Sequence, residues 1–559
     1  MDFIQRYLLA FSPALIAIMR LLDPESVIMN STTISASGAR SWIIACVLAS
    51  TMTPLAAHGQ DWQMSGNDLT NDRNQPHETL IDAGNVATLK PAWTFKTLGS
   101  VSATPLVTGG YAYFPDWGGG LHKLNARTGQ VAWSRKVSEY TGWSDSVSRT
   151  TPVLADGVLV VGQQPQSFGA KHDSSYLLGL NPETGDLLWK VMLDKHPATI
   201  QSQSPVVYDG AIYIGTSSNE EHWALDTKFQ CCSFVASMAA VELKTGKVIW
   251  QTPMVPKGYT GGAIWSSTPA IDPKRGVVYI TTGNNYTTPP EVAECQESGK
   301  RDCLPVGDHI DSFVALDLKT GAIKWATRVV PFDTWNGNCF VNEPGLGDCP
   351  EPRGGDLDFG QGAMLYTATV NGKSRDMLAA GQKSGMFWGI DRDSGKVVWG
   401  TQVGPGGQSG GTEWGSATDG KHLYIAISNS AFQDWPMQPS GIVATGGMWS
   451  ALDPATGKIL WQTAEPTGSW AFGPVSVANG VVYAGSMDPK GYMRALDAAS
   501  GKILWSFASG GSVASGPAIA DGMVFWGSGY EHLNSSTVHQ SVGNDMFYAF
   551  ALSPDAAKK

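Results

Sequence analysis

The stretch SSNEEHWALDTKFQCCSF places two carboxylates, Glu220 and Glu221, a histidine, His222, and two adjacent cysteines, Cys231 and Cys232, in one short segment. The doublet has several readings. Its thiols can enter separate disulfides or pack as a buried pair. Bonded to each other, they close an eight-membered ring around a strained peptide bond, and strain of that kind persists mainly at functional sites. The two glutamates read alone as an ordinary exposed acidic pair; a hard cation would need oxygen ligands of this kind. The amide pair Asn284–Asn285, about one repeat further on in ITTGNN, reads alone as a turn. His222 invites a transition metal, but no second histidine stands at ligand spacing. No Cys-x-x-Cys-His occurs, which excludes covalently attached haem c.

At 559 residues the chain is several average domains long, although some β architectures reach that size as one unit. Its 65 glycines and 21 tryptophans, with few charges, suit many short strands and tight turns rather than a disordered or coiled-coil chain. The net charge of −11 argues against a nucleic-acid surface. Only the N-terminal region is apolar enough for membrane insertion. There Arg40 precedes WIIACVLASTM, and small residues follow in PLAAHGQ, the pattern of an export signal cleaved near residue 59. An upstream run, YLLAFSPALIAIM, makes either Met29 the true start or residues 1–59 a signal with an extension. Cys46 lies too early in its apolar run for a lipoprotein site. The six remaining cysteines fall into local pairs, Cys231/Cys232, Cys295/Cys303 and Cys339/Cys349, as expected for an oxidising compartment such as the periplasm.

The elements that must position these residues repeat from end to end. One motif reads LNARTGQVAW, LNPETGDLLW, VELKTGKVIW, LDLKTGAIKW, IDRDSGKVVW, LDPATGKILW and LDAASGKILW, ending at Trp133, Trp189, Trp250, Trp325, Trp399, Trp461 and Trp505. An eighth tryptophan, Trp93, ends NVATLKPAW without a leading strand, while FYAFALSP, residues 547–554, is a leading strand without its partner. A second motif, small-x-Pro-apolar ending in Gly, interleaves with the first as SATPLVTGG, RTTPVLADG, SQSPVVYDG and their copies, with looser ones from Gln361 and Trp414. Each repeat therefore holds about four short strands. These are the blades of an all-β, eight-bladed propeller spanning residues 60–556, before a short 557–559 tail, its ring closed by N- and C-terminal strands. The Asp-x-x-Thr-Gly turn bonds its own backbone and uses Gly at positive φ. Its tryptophan packs between blades.

The tryptophan-docking repeat, the cysteine doublet, SSNEE, TTGNN, DWQMSGNDLTNDRN, YFPDWGGGLHKLN and DLDFG together resemble the pyrroloquinoline quinone (PQQ) dependent alcohol dehydrogenases, and among them the polyvinyl alcohol dehydrogenases. The repeat alone is weak, because non-enzymatic assembly propellers share it. The resemblance implies PQQ and Ca²⁺ in the channel. It places Cys231–Cys232 against one face of the quinone and Trp265 against the other, with Glu220 and Asn284 as cation ligands. Arg149 matches a contact to a quinone carboxylate, Lys383 a contact to the reactive carbonyls, and Ser202 and Ser217 hydroxyl contacts. A cation there would stabilise charge developing on reduction. Read structurally instead, Trp265 is a ninth packing tryptophan and Lys383 a turn lysine in solvent.

The chain departs from the family pattern at several points. The family's Asp-x-Trp-Asp is FDTWN here, so Asn336 stands among the cation ligands where an aspartate base is expected. Asp333 or Asp358 must then serve as base, with Asp333 favoured over Asp358 and with Asp356 nearby. Ser102 replaces an expected glutamate, Ala263 an expected threonine, and the doublet follows Glu220 rather than preceding the second blade. Without a haem, electrons would pass to an external acceptor, a soluble cytochrome c. The expected substrate is a secondary alcohol, with polyvinyl alcohol in view; the alternatives are a quinoprotein for a cyclic or sugar-like alcohol and a non-catalytic propeller for binding or outer-membrane assembly.

Overall fold

The computed structural model describes residues 60–170, 172, 174–265, 267–340, 349–532 and 541–553. The expected export signal and Cys46 lie outside them. Eight sheets of four antiparallel strands follow one another around a ring, the seventh joined by a fifth, parallel strand, Asn74–Gln75. Blade 1 uses strands from Leu106–Thr108 to Val131–Lys136, and blade 7 strands from Ser476–Ala478 to Ile503–Ala508. Blade 8 takes its inner three strands, Ala518–Ala520, Met523–Ser528 and Met546–Leu552, from the C-terminal region. Its outermost strand is Leu89–Lys96, paired antiparallel with Met546–Leu552. The chain thus closes its own ring, which leaves no open sheet edge at the seam.

The second and third strands of a blade are buried on both faces between neighbouring blades and read as near-continuous apolar runs, such as Val158–Gly162 and Ala211–Gly215. Outermost strands alternate, as in Val248–Pro253. Each docking tryptophan reaches the next blade: Trp133 Nε1 donates to Pro182 O, Trp189 Nε1 to Leu243 O and, across the seam, Trp505 Nε1 to Leu89 O. The Asp-x-x-Thr-Gly turn explains itself locally. Asp317 Oδ1 accepts from the Lys319 and Thr320 amides and from the Thr320 hydroxyl. Its glycine has a second duty, since the turn of each blade lies on the tryptophan of the blade before. At Gly457, φ is +70° and a Cβ would stand 2.4 Å from Trp399 Cε3. Gly457→Ala should therefore destabilise the ring by about 3 kcal/mol, combining left-handed strain with overpacking, which a lowered denaturation midpoint would register.

Residues 62–75 form a strap across the channel, not anticipated from the repeats. Trp62 bridges Val107 of blade 1, and Met64 joins the core of blades 2 and 3. Leu69 O, Thr70 O, Asp72 O and Arg73 O accept in turn from the amides of Ile271, Leu365, Thr418 and Val477, one from each of blades 4 to 7. Gln75 Nε2 donates to Ile519 O of blade 8. Arg73 is buried beneath the site, its guanidinium donating to Ser65 O, Val475 O, Thr104 Oγ1 and Ser476 Oγ; burial lowers its pKa to about 9.

The three expected cysteine pairs are all disulfides: Cys231–Cys232, Cys295–Cys303 and Cys339–Cys349. The peptide bond within the doublet is cis. Among the described residues no helix is long and apolar enough to cross a membrane.

Candidate functional site

The first two strands of each blade form a tight hairpin nearest the axis. Entry to the first and exit from the second therefore meet at the same end of the channel. Arg149, Ser202 and Phe472 each stand four residues ahead of a first strand, which begin at Val153, Val206 and Ser476. Ser217, Lys383 and Tyr530 each stand two residues beyond a second strand, which end at Gly215, Gly381 and Ser528. All six line one cavity of about 240 Å³, together with Trp265, Asp356, Asp358, Glu221, Glu413 and Trp414.

Charge organises the cavity around Lys383. Its ammonium donates to Asp356 Oδ1 at 2.8 Å and lies 3.3 Å from Asp358 Oδ2. It also stands 5.2 Å from the centre of the Trp265 ring. Burial opposes its charge, but Asp356, Asp358, Glu413 and Glu221 outweigh burial and hold its pKa well above the ordinary value. Asp358 is held at both ends, Oδ1 by the Asn284 amide at 2.6 Å and Oδ2 by Trp265 Nε1 at 2.9 Å. Arg149 lies over the Trp414 ring at 4.3 Å, and Trp414 meets Trp265 edge to face at 5.3 Å.

The residues singled out from sequence separate into two groups. Arg149, Ser202, Ser217, Trp265, Asp358 and Lys383 line the cavity. The others stand behind it. Glu220 turns away and accepts from the Ser233 and Phe234 amides just after the doublet; burial would raise its carboxyl, but His196 and these two amides hold it below the usual range. Asn336 is buried and spends its amide on Tyr286 O and the Asn338 amide. Asp333 is also buried, accepting from the Asp356 and Leu357 amides, so it shapes the loop that presents Asp356 and Asp358. Burial raises the Asp333 carboxyl to about 6. Asn284 lies beside Asp358 with Oδ1 buried and unpartnered. Cys232 packs with Trp265 on a cluster of Phe234, Ala236, Ala263 and Tyr286, beside the cavity rather than in its wall.

Glu413, Trp414 and Tyr530 were given no site role from the sequence, and of the two adjacent glutamates the role went to Glu220, not Glu221. Glu221 follows Glu220 on the single helical turn Glu220–Trp223 and faces the cavity instead of its neighbour. Glu413 stands four residues ahead of Ala417, where the first strand of blade 6 begins, at the same offset as Arg149 and Ser202, and Trp414 follows it. The repeat offset was the signal that would have found them. His222 also lines the cavity; burial, then Lys383 and Arg149, lower its pKa to about 4 and keep it neutral.

No set of three or more His, Cys, Asp or Glu side chains at metal-binding distance occurs among the described residues. A cation would therefore need amide or ligand oxygens besides carboxylates. The cavity suits an anionic, oxygen-rich ligand with a hard cation. Arg149 and Lys383 supply positive charge, Glu221, Asp358 and Asn284 Oδ1 supply hard oxygens, and Ser202 Oγ, both Asn219 amide atoms and Trp414 Nε1 are buried without partners.

Burial raises the carboxyls of both Glu221 and Glu413 to about 7, with Asp358 adding to the effect and Lys383 opposing it. Between their ordinary value of 4.5 and about 7, the folded state keeps protons that the unfolded chain has lost. Their contribution to stability therefore falls as pH rises through that window. Carboxyls held low, such as Glu220, act only below it. The melting temperature of the quinone- and metal-free protein should be lower at about pH 8 than at about pH 5.5, and CaCl₂ should recover more of it at the higher pH.

Comparison with known proteins places this architecture. A family model described as outer membrane protein assembly factor BamB matches residues 36–228, 93–327 and 446–539, following the repeat. The polyvinylalcohol dehydrogenase of a Pseudomonas sp is 30% identical over 532 residues, 88% of this chain and 77% of that protein. That of Sphingopyxis sp. (strain 113P3) is 31% identical over 544 residues, 90% and 76%. The crystal structure of the quinohemoprotein alcohol dehydrogenase from Comamonas testosteroni superposes with a TM-score of 0.66 at 21% identity, covering 88% of this chain and 80% of that one, and shares the fold. The doublet, the Lys383 cluster and the two polyvinylalcohol dehydrogenases converge on one conclusion: this chain is an alcohol dehydrogenase of the quinoprotein alcohol dehydrogenase family.

Proposed function

We propose that the chain is an exported, periplasmic dehydrogenase that uses PQQ with Ca²⁺ to oxidise secondary alcohols, polyvinyl alcohol among them, and passes the electrons to a soluble cytochrome c. The observation that carries this reading is the buried Lys383 among Asp356, Asp358, Glu221 and Glu413, facing the same cavity as Arg149. Two fixed cations suit a quinone bearing carboxylates; the surplus of carboxylates suits a divalent ion. Glu221, Asn284 and Asp358 would hold Ca²⁺, and Arg149, Lys383, Ser202 and Ser217 would hold the quinone.

Bound PQQ supplies the two-electron oxidant. The protein supplies the rest. Asp358 takes the hydroxyl proton of the alcohol, being the one of the two candidate bases that reaches the cavity. Trp265 Nε1 and the Asn284 amide fix its carboxylate in place. Lys383 stabilises negative charge as it develops, from a position that needs no reorganisation. Trp265, Trp414 and Phe472 exclude water from the reacting groups.

Purified protein given PQQ and CaCl₂ should reduce a redox dye with secondary alcohols and lose that ability when either addition is omitted. Dye reduction independent of PQQ, or none with any alcohol, would defeat the reading. A preference for a cyclic or sugar-like alcohol would keep the cofactor and replace the substrate.

A further inference from the structure

The cavity changes character from floor to mouth. Lys383, Asp356, Asp358 and Glu413 form its buried part; half-buried Phe168 and exposed Phe340 form its rim. Phe340 lines the cavity yet is 53% exposed. An exposed ring that also lines a ligand cavity offers apolar surface to whatever the cavity holds. Neither ring is placed loosely. Phe340 ends the 3₁₀ turn Gly337–Phe340, directly after disulfide-bonded Cys339, and meets Trp335 edge to face at 4.9 Å. Gly337 lets that turn lie against the site, since a Cβ there would stand 2.4 Å from Glu221 O. On the other side, Phe168 stacks on His222 at 4.8 Å, and its carbonyl accepts from Trp223 Nε1 at 3.1 Å. Gln408 and Ser409 give the same rim a polar side.

Building on the proposed oxidation of secondary alcohols, we infer that Phe168 and Phe340 are specificity-determining residues that grip the methylene backbone of an extended, uncharged aliphatic chain bearing hydroxyls, with Gln408 and Ser409 meeting its hydroxyls. With the proposed quinone held at Arg149 and Lys383, a cavity of about 240 Å³ leaves room for only the reacting carbinol of such a molecule. The remainder lies across the rim. Aromatic faces take up methylenes by excluding water and need no charge to do so. A short alcohol, seated wholly inside, uses the two rings less.

The test compares kcat/KM for polyvinyl alcohol with kcat/KM for 2-butanol in wild type, Phe340→Ser and Phe168→Ala/Phe340→Ser. The ratio should fall about tenfold or more in the double variant, as expected from losing much of two aromatic contacts. Calorimetric titration of the quinone-free protein with polyvinyl alcohol oligomers should show a matching loss of affinity. Phe340 is exposed, so the single variant keeps the comparison informative if the double one does not fold. An unchanged ratio with unchanged affinity overturns the inference. So does a loss seen only with cytochrome c as acceptor and not with dye, which would make the rim a docking surface for that protein. Should wild type oxidise no alcohol, the proposed function fails, while the titration still decides the rim.

Discussion

Lys383→Met is expected to lower kcat by about 10³-fold, on the scale of removing a preorganised electrostatic donor. The substitution keeps the length and apolar stem of the side chain and removes only the charge. It strips Asp356 of its hydrogen bond and leaves Asp358, Glu221 and Glu413 facing one another without compensation. Breaking a buried ion pair from one side costs about 3–5 kcal/mol. The variant should therefore also melt earlier, and more so at about pH 8 than at about pH 5.5, because the orphaned carboxylates can take up protons at the lower value. A variant that keeps wild-type turnover, or whose melting deficit is the same at both pH values, would remove Lys383 from the centre of the site.

Asp358→Asn should lower kcat/KM by about 10²- to 10⁴-fold, the range for losing a positioned base. The amide keeps an acceptor toward the Asn284 N–H but turns an NH2 toward Trp265 Nε1–H and Lys383, so a modest loss of melting temperature should accompany the loss of rate. Asp333→Asn makes the complementary test. Asp333 accepts from two successive amides and does not reach the cavity, so its loss should show in stability before it shows in rate. If the rate falls further with Asp333→Asn than with Asp358→Asn, the proton goes to Asp333 and the assignment reverses. Steady-state kinetics and melting curves on the same two preparations decide between them.

The ring was legible because its signals recur. A tryptophan and a turn glycine at fixed offsets can be counted, and the unpaired pieces at Trp93 and Phe547–Pro554 told how the ring shuts. Trp265, Arg149 and Lys383 were legible through the family resemblance, and their places next to the inner strands bring them to the cavity. Other features carry no period. Glu220 and Glu221 sit side by side on one helical turn, and nothing in their order says which meets the cavity and which caps the chain after the doublet. Asn336 and Asp358 lie on either side of the Cys339–Cys349 disulfide, and nothing in their order says which one enters the site. Glu413 sits in a degraded repeat. The strap at 62–75 has no periodicity at all, because it lies across the blades and obeys each in turn.

That strap bears on how the protein is made. Residues 62–96 are synthesised early, yet several of their partners are synthesised last: Val477, Ile519 and Met546–Leu552. A chain halted after six blades would own a strap lacking the Val477 amide for Arg73 O and Ile519 O for Gln75, and a first strand with no neighbour. Both ends would display unpaired backbone, the template on which strands of other molecules add. Contacts joining residues more than four hundred positions apart, such as Trp505 to Leu89, form late in folding. Incomplete translation or clipping near either end should therefore yield aggregates rather than smaller working propellers. The quality of the product is decided at its final hairpin.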